Sequence, residues 1–555
     1  MASPNEEEHK EESSGSPPKT MNQTRWFSVK LWPPSEHSRQ MLLQRITDNL
    51  TGTSFITQKY GSLKKEEAEA TAKQIEEQSY AAANKHYDEE PDGDGGSAVQ
   101  LYAKECSKQI LEALKKDPSE TESLPPIQET QCKETTFDIS SGPRSFIDGK
   151  EAAELLSPLK KQGNSFSNIC FSNRSFGLEA ARVAVPILTA IKNQLKEVDL
   201  SDFIAGRPEA EALEVITLFS EALEGSNLTS LNLSNNALGE KGVRAFGPML
   251  KTQLNLEKLF LINNGISSEA AQAISELIPS TRTLKTLHFH NNMTGDEGAP
   301  AIARVVEASP SLEDFRCSST RIGASGGMAV SEALSSCTHL RKLDLRDNIF
   351  GVEAGIALGK SLGNQGNLVE IYLSYLNLED EGVSGILSAL KESAPSLQVL
   401  DIAGNEITEQ SGASLAALIA SKQGLLRLNL AENELKDEGA ICICEALREG
   451  HVDLNEVDVS TNGITRAGAR VLARALVSKT NFLLLNINGN FISDEGVDEL
   501  KEIFADCAEK LGPLDENDPE GAQAQAQSQA QSDEVEVGLE SEFKDLHLKE
   551  ESVRS

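Results

Sequence analysis

Residues 228–238 read LTSLNLSNNAL and residues 256–266 read LEKLFLINNGI. The two stretches share one spacing: aliphatic residues first, fourth, sixth and eleventh, asparagine ninth. The spacing returns in LKTLHFHNNMT from Leu284, LRKLDLRDNIF from Leu340 and LQVLDIAGNEI from Leu397. It returns again in LLRLNLAENEL from Leu425, LNEVDVSTNGI from Leu454 and FLLLNINGNFI from Phe482. Weaker copies start at Phe166, Leu195, Leu312 and Leu368, making twelve units. Their ninth positions fall at 174, 203, 236, 264, 292, 320, 348, 376, 405, 433, 462 and 490, in steps of 28 or 29 with a single step of 33. Chance does not hold a period over twelve copies, so the repeat is the first fact about the chain.

That spacing dictates local structure. L-x-L alternation is a short strand with one buried face. Helical spacing follows it: Ala270, Ile274, Leu277 and Ile278 fall on one face. Neither element buries its apolar side alone, so the units must stack into a right-handed solenoid, strands inside and helices outside. The expected fold class is α/β, a leucine-rich-repeat horseshoe of about twelve repeats. Eight ninth positions are asparagine: Asn236, Asn264, Asn292, Asn348, Asn405, Asn433, Asn462 and Asn490. A buried amide there pairs with the backbone of the turn leaving the strand, which assigns these residues to structure. Arg174, Phe203, Thr320 and Leu376 interrupt the row, and their turns should be looser or differently filled. Asp-Glu-Gly recurs at Asp296, Asp380, Asp437 and Asp494. An aspartate suits the unpaired N–H groups of a helix start.

The 33-residue step lies in SDFIAGRPEAEALEV, Ser201–Val215. An insertion after a strand projects from the horseshoe rim, either as a partner-binding feature or as a plain loop.

Lys and Arg total 52 against 86 Asp and Glu, a net charge of −34. Such a chain repels nucleic acid and anionic membranes and attracts basic proteins. The eight cysteines are scattered, which is thiol usage of a reducing compartment. No secretory leader and no apolar run of membrane-spanning length is visible, so a protein of the cytosol or nucleus is expected, without membrane insertion. Phosphate-binding glycine loops and H-E-x-x-H are absent. His288 and His290 alternate on one strand, short of the three or four ligands zinc needs, and read as an exposed strand face. Cys442 and Cys444 read as helix core. No metal and no cofactor are expected. To this point the pattern fits a binding scaffold or inhibitor.

Three segments go further. Asp199–Arg207 (DLSDFIAGR), the LINNGI run ending at Ile266 and LDLRDN at Leu343–Asn348 resemble the GTPase-activating proteins of the nuclear-transport GTPase Ran. The acidic segment after the last repeat agrees. Thr24–Leu50, TRWFSVKLWPPSEHSRQMLLQRITDNL, resembles the WPP domain of the plant members, with Trp32, Pro33 and Pro34 as its naming motif. The resemblance implies that Ran in its GTP form is the partner, that hydrolysis stays in Ran's own site, and that a rim asparagine positions Ran's catalytic glutamine. That asparagine maps to Asn263 or Asn264. Asn264 belongs to the buried row, so Asn263 is the freer to reach a partner. Asp202, Arg207 and Asp347 map to partner-binding positions, and the family's arginine is not an inserted finger. PEAE after Arg207 lacks a basic neighbour found in some relatives. The WPP motif implies docking to nuclear-envelope anchor proteins, hence the cytoplasm and outer nuclear envelope.

The expected organisation is 1–21 disordered, 22–114 a helical WPP targeting domain, 115–143 a linker, 144–165 a cap over the first repeat, 166–510 the GTPase-activating repeat domain, and 511–555 an acidic disordered tail. Val99, Tyr102, Cys106, Ile110 and Leu114 should form one helical stripe, and Ser35 should cap the helix after the WPP motif.

Overall fold

A computed structural model describes residues 33–34, 36–51, 64–89, 96–115, 135–518 and 520. Its contacts divide the chain into two units, Met1–Glu129 and Thr130–Ser555.

The first unit contains helices Glu36–Thr51, Lys65–Glu89 and Gly96–Lys115. Four-residue spacing explains the third: Ala98, Tyr102, Cys106 and Ile110 are all buried. They meet Ile46 and Leu50 of the first helix and Ala68, Ala72 and Ile75 of the second. Val99, expected in that stripe, is 37% exposed; Ala98 takes the inward position. Leu114's side chain, Ser35 and Trp32 lie outside what is described. One buried carboxylate pins all three helices. Glu76 accepts from Arg39 at 2.6 and 2.8 Å and from the Tyr102 hydroxyl, while the Arg39 guanidinium stacks 3.7 Å over Tyr80. Burial alone would raise the Glu76 carboxyl, but the bonds from Arg39 and Tyr102 outweigh it and hold it below the usual range.

The second unit is built on a parallel sheet of thirteen strands that follow chain order. Twelve belong to the twelve repeats. The thirteenth, Thr136–Asp138, pairs in front of Asn168–Cys170. It lies inside the stretch expected as linker, so the cap begins earlier than 144. Phe137 carries the reason: it is buried against Phe166 and Phe171. Each strand is three residues long with a buried centre, in the register Leu231↔Leu259↔Leu287↔Phe315↔Leu343. A second, two-stranded sheet joins Ser145–Ile147 of the cap to Arg174–Phe176.

The buried asparagines form the predicted row. Asn264 Nδ2 donates to Leu233 O at 2.9 Å, and its Oδ1 accepts the Asn236 N–H at 2.9 Å. Asn292 Oδ1 accepts from Asn264 N at 3.0 Å and Ile266 N at 3.1 Å. Each amide thus ties its own turn to the preceding repeat. The interruptions are refilled rather than loose. Thr320 turns its hydroxyl onto Cys317 O at 2.9 Å, and the N–H of Asn292 goes to Ser319 O at 3.1 Å. At Leu376, the N–H of Asn348 likewise takes Tyr375 O at 3.2 Å. The row also outruns the repeats: Asn490 N donates to Asn517 Oδ1 at 2.9 Å, and Gly512 N donates to Leu485 O at 2.8 Å. Ordered chain therefore continues to Asp518, past the expected tail boundary at 511.

The Asp-Glu-Gly aspartates act one repeat further on than expected. Asp296 Oδ1 accepts Gly323 N at 2.8 Å and Gly326 N at 2.9 Å, at the start of the next helix. Asp437 does the same for Thr465 N and Gly468 N, at 2.8 and 3.0 Å. Asp296 and Asp437 thus cap the helix of the next repeat rather than their own.

Candidate functional site

The rim follows from one backbone requirement. After each strand the chain must turn sharply into the buried ninth position. The eighth residue is left-handed in all twelve repeats: Asn173, Asp202, Asn235, Asn263, Asn291, Ser319, Asp347, Tyr375, Gly404, Glu432, Thr461 and Gly489, with φ between 52° and 66°. Asparagine, aspartate and glycine tolerate this conformation best. Their abundance here thus has a conformational cause besides any chemical one.

Asn263 is exposed at this position, directly beside the fully buried Asn264. Its Nδ2 donates to Asn235 Oδ1 at 3.1 Å, and its Oδ1 accepts from Asn291 Nδ2 at 3.1 Å. A shallow concavity of about 510 Å³ opens beside it, lined in part by Asn291, Met293, Arg321, Asp347 and Ile349. Met293 and Ile349 are 51% and 63% exposed, so the concavity has apolar contact area among polar groups. Asp347 is exposed there with φ 56°. The structure therefore brings to one surface Asn263 and Asp347, the two rim positions mapped from the resemblance.

Asp202 and Arg207 are placed otherwise. The Asp202 carboxylate is buried and held by both arms of Arg144, one contact being 2.7 Å. Arg207 donates to Ser175 Oγ at 3.1 Å, Ser175 O at 2.6 Å and Ile147 O at 3.3 Å, and packs 4.9 Å from the Phe146 ring. Both residues clamp the cap onto the first repeats. Gly206 is required in that clamp: its φ is +80°, and a Cβ would stand 2.8 Å from Phe146. Pro33 is exposed just ahead of the helix at Glu36. Among the expected targeting residues, Trp32 lies outside the described residues, and Pro34 is half-buried.

Sequence reading missed the sheet face opposite the helices. There Phe260, His288, Arg316, Asp344 and Tyr372 occupy one column of register. Arg346 binds Asp344 at 2.9 Å, lies 3.5 Å from Asp401 and stacks 4.7 Å from the Tyr372 ring. His288 and His290 are half-buried side by side rather than exposed, their rings 5.9 Å apart, with His288 Nε2 3.2 Å from Asp314 Oδ2. Burial and the neighbouring His288 hold His290 below its ordinary range. Burial would raise Asp314, but bonds from His288 and Arg316 bring it to about 2. The signal was available: the variable residue inside each L-x-L, read down the repeats, spells this column.

Comparison with known proteins agrees with both units. The WPP domain family matches residues 28–123, and the Leucine Rich repeat family matches 226–247, 336–359, 393–416 and 423–444. RAN GTPase-activating protein 2 of Arabidopsis thaliana is 66% identical over 90% of this chain and 92% of its own length. RAN GTPase-activating protein 1 of the same plant is 58% identical over 90% and 92%. WPP domain-containing protein 2, also from Arabidopsis thaliana, is 32% identical over 23% of this chain and 69% of its own. Identity of this extent, over both units, makes the chain a member of the plant Ran GTPase-activating protein family, a leucine-rich-repeat solenoid behind an N-terminal WPP domain.

Proposed function

We propose that this chain stimulates GTP hydrolysis by Ran, acting on the GTP-bound form. In such GTPases the partner's own glutamine orients the attacking water, and an activator contributes positioning and charge stabilisation. Asn263 is the group proposed to hold that glutamine. The observation that carries this reading is its geometry: an exposed side-chain amide, on a left-handed turn, beside a polar and partly apolar concavity. Asn264, buried in the structural row, supports the turn beneath it. Asp347 is assigned a basic residue of Ran. Asp202 and Arg207 serve the same surface indirectly, through the cap they hold. The net charge of −34 speeds encounter with a basic partner.

The WPP unit is assigned to nuclear-envelope anchor proteins through Trp32, Pro33 and Pro34. Anchoring at the outer envelope raises the local concentration of the activator on the cytoplasmic side without altering its rim.

Single-turnover phosphate release from Ran·GTP tests the first reading. The full chain at saturation should accelerate it by about 10³-fold or more. Tight binding without acceleration would leave only a scaffold or inhibitor. For anchoring, a fluorescent fusion carrying Trp32→Ala and Pro33→Ala should become diffuse, and retained envelope staining would count against it.

A further inference from the structure

The Asn263 amide does not stand alone. It is the centre of a three-member row on the rim, Asn235–Asn263–Asn291, with members 28 residues apart and φ of 61°, 52° and 57°. The row is bounded. One repeat earlier the position is Asp202, whose carboxylate is taken by Arg144, and one repeat later it is Ser319. Only Asn263, among the described residues of this row, has an amide on both sides.

The row also has a direction. Each amide nitrogen donates to the oxygen of the preceding repeat: Asn291 Nδ2 to Asn263 Oδ1, then Asn263 Nδ2 to Asn235 Oδ1. A primary amide has two N–H donors and two acceptor sites. The neighbours occupy one of each. What Asn263 presents to a partner is therefore one N–H and one oxygen lone pair, in a fixed order along the rim. A half-turn about the Cβ–Cγ axis of Asn263 would exchange them. A glutamine side chain is itself a donor–acceptor pair, so to keep both bonds to a reversed Asn263 it must turn its own amide over, which exchanges the atoms it offers to the attacking water.

We propose that Asn235 and Asn291 are positioning residues that set the amide orientation in which Asn263 meets the glutamine of Ran. This rests on the role assigned to Asn263 above. The row acts on the maximal rate, because a misoriented amide still permits binding but leaves the glutamine unplaced.

The row's direction makes the test asymmetric. Asn235→Asp and Asn291→Asp are isosteric, add the same charge and suit the same left-handed backbone. Asn235→Asp keeps the acceptor that Asn263 Nδ2 uses. Asn291→Asp replaces the donor with a carboxylate facing Asn263 Oδ1, which turns the amide over. In single-turnover hydrolysis by Ran·GTP with the full-length protein at saturation, Asn291→Asp should lower the maximal rate about tenfold more than Asn235→Asp does. The half-saturating concentrations of the two variants should agree within about threefold, and their thermal midpoints should match. In an Asn263→Gly background the difference between them should vanish. Equal effects, a larger loss from Asn235→Asp, or a difference that persists without the Asn263 amide would each overturn the row's role. Should Asn263→Gly alone leave the maximal rate unchanged, the reading of Asn263 itself fails and takes the row with it. A slow Asn263→Gly with equal aspartate variants removes the row alone.

Discussion

Two rows of asparagine run side by side through the solenoid, one residue apart in every repeat that carries both. In the inner row, Asn264 and its equivalents are buried and bonded to backbone. In the outer row, Asn263 and its neighbours are exposed and bonded to each other. The residue type is the same and the physical reasons differ. The inner row needs an amide because backbone groups in a dry turn must be paired. The outer row needs a residue that accepts positive φ. The inner row therefore keeps its chemistry wherever the fold demands it. The outer row is free to vary among Asn, Asp, Ser, Tyr, Glu, Thr and Gly, and so can carry recognition.

The comparison breaks most sharply at adjacent residues. Asn263→Gly preserves the left-handed turn and deletes only the amide. It should lower the stimulated hydrolysis by Ran about a hundredfold or more, the usual cost of losing a positioning group in the transition state, with stability nearly unchanged. Retained activity in phosphate release would return Asn263 to a purely conformational role. Asn264→Ala should do the reverse. It orphans the Asn236 N–H and takes from the Leu233 carbonyl one of its two donors, so denaturant unfolding should show a loss of about 2–3 kcal/mol. An unchanged midpoint would mean that water or a shifted backbone replaces the inner amide.

Much of this was legible in the sequence because it is periodic. Leucine spacing gave strands, helices and twelve turns, and the ninth-position asparagines gave the inner row. Asn263 and Asp347 were placed on the rim by that arithmetic and the family resemblance together. Asp202 and Arg207 were not, because their partners are non-local: Arg144 is 58 residues from Asp202, and Ile147 is 60 residues from Arg207. A cap contributes no period, so its contacts leave no trace in spacing. The first strand at Thr136 was hidden for the same reason, and Asn517 because no leucine pattern surrounds it. The Asp-Glu-Gly acids were read as caps correctly, but for the wrong helix. One-dimensional spacing cannot distinguish a side chain that caps its own helix from one that reaches across to the next.

That distinction yields a smaller effect than either asparagine. Asp296→Ala removes an acceptor from Gly323 N and Gly326 N and should cost about 1 kcal/mol. Asp494 begins the helix of the last repeat, and no further α-helix follows it among the described residues, so Asp494→Ala should cost less. Equal losses in denaturant unfolding would show that these acids serve their own helices after all.

The smallest effect falls at the second member of the outer row proposed to meet Ran. Asp347→Asn keeps the shape and the left-handed backbone and removes one charge. An exposed ion pair is worth about 0.2–1 kcal/mol, so half-saturation by Ran·GTP should rise about 1.4-fold to fivefold. Most of that change belongs to the association rate, and it should shrink as salt shortens the reach of the charge. The maximal rate should hold, because an encounter charge acts equally on the ground and transition states. Stopped-flow association at low and high salt separates the cases: a salt-independent loss would make Asp347 a packed contact, and a fall in maximal rate would move it from attraction into positioning. Since Asp347 and Asn263 line one concavity, the split between them decides whether the outer row divides its labour by residue type. Amides would orient the partner and acids would draw it in.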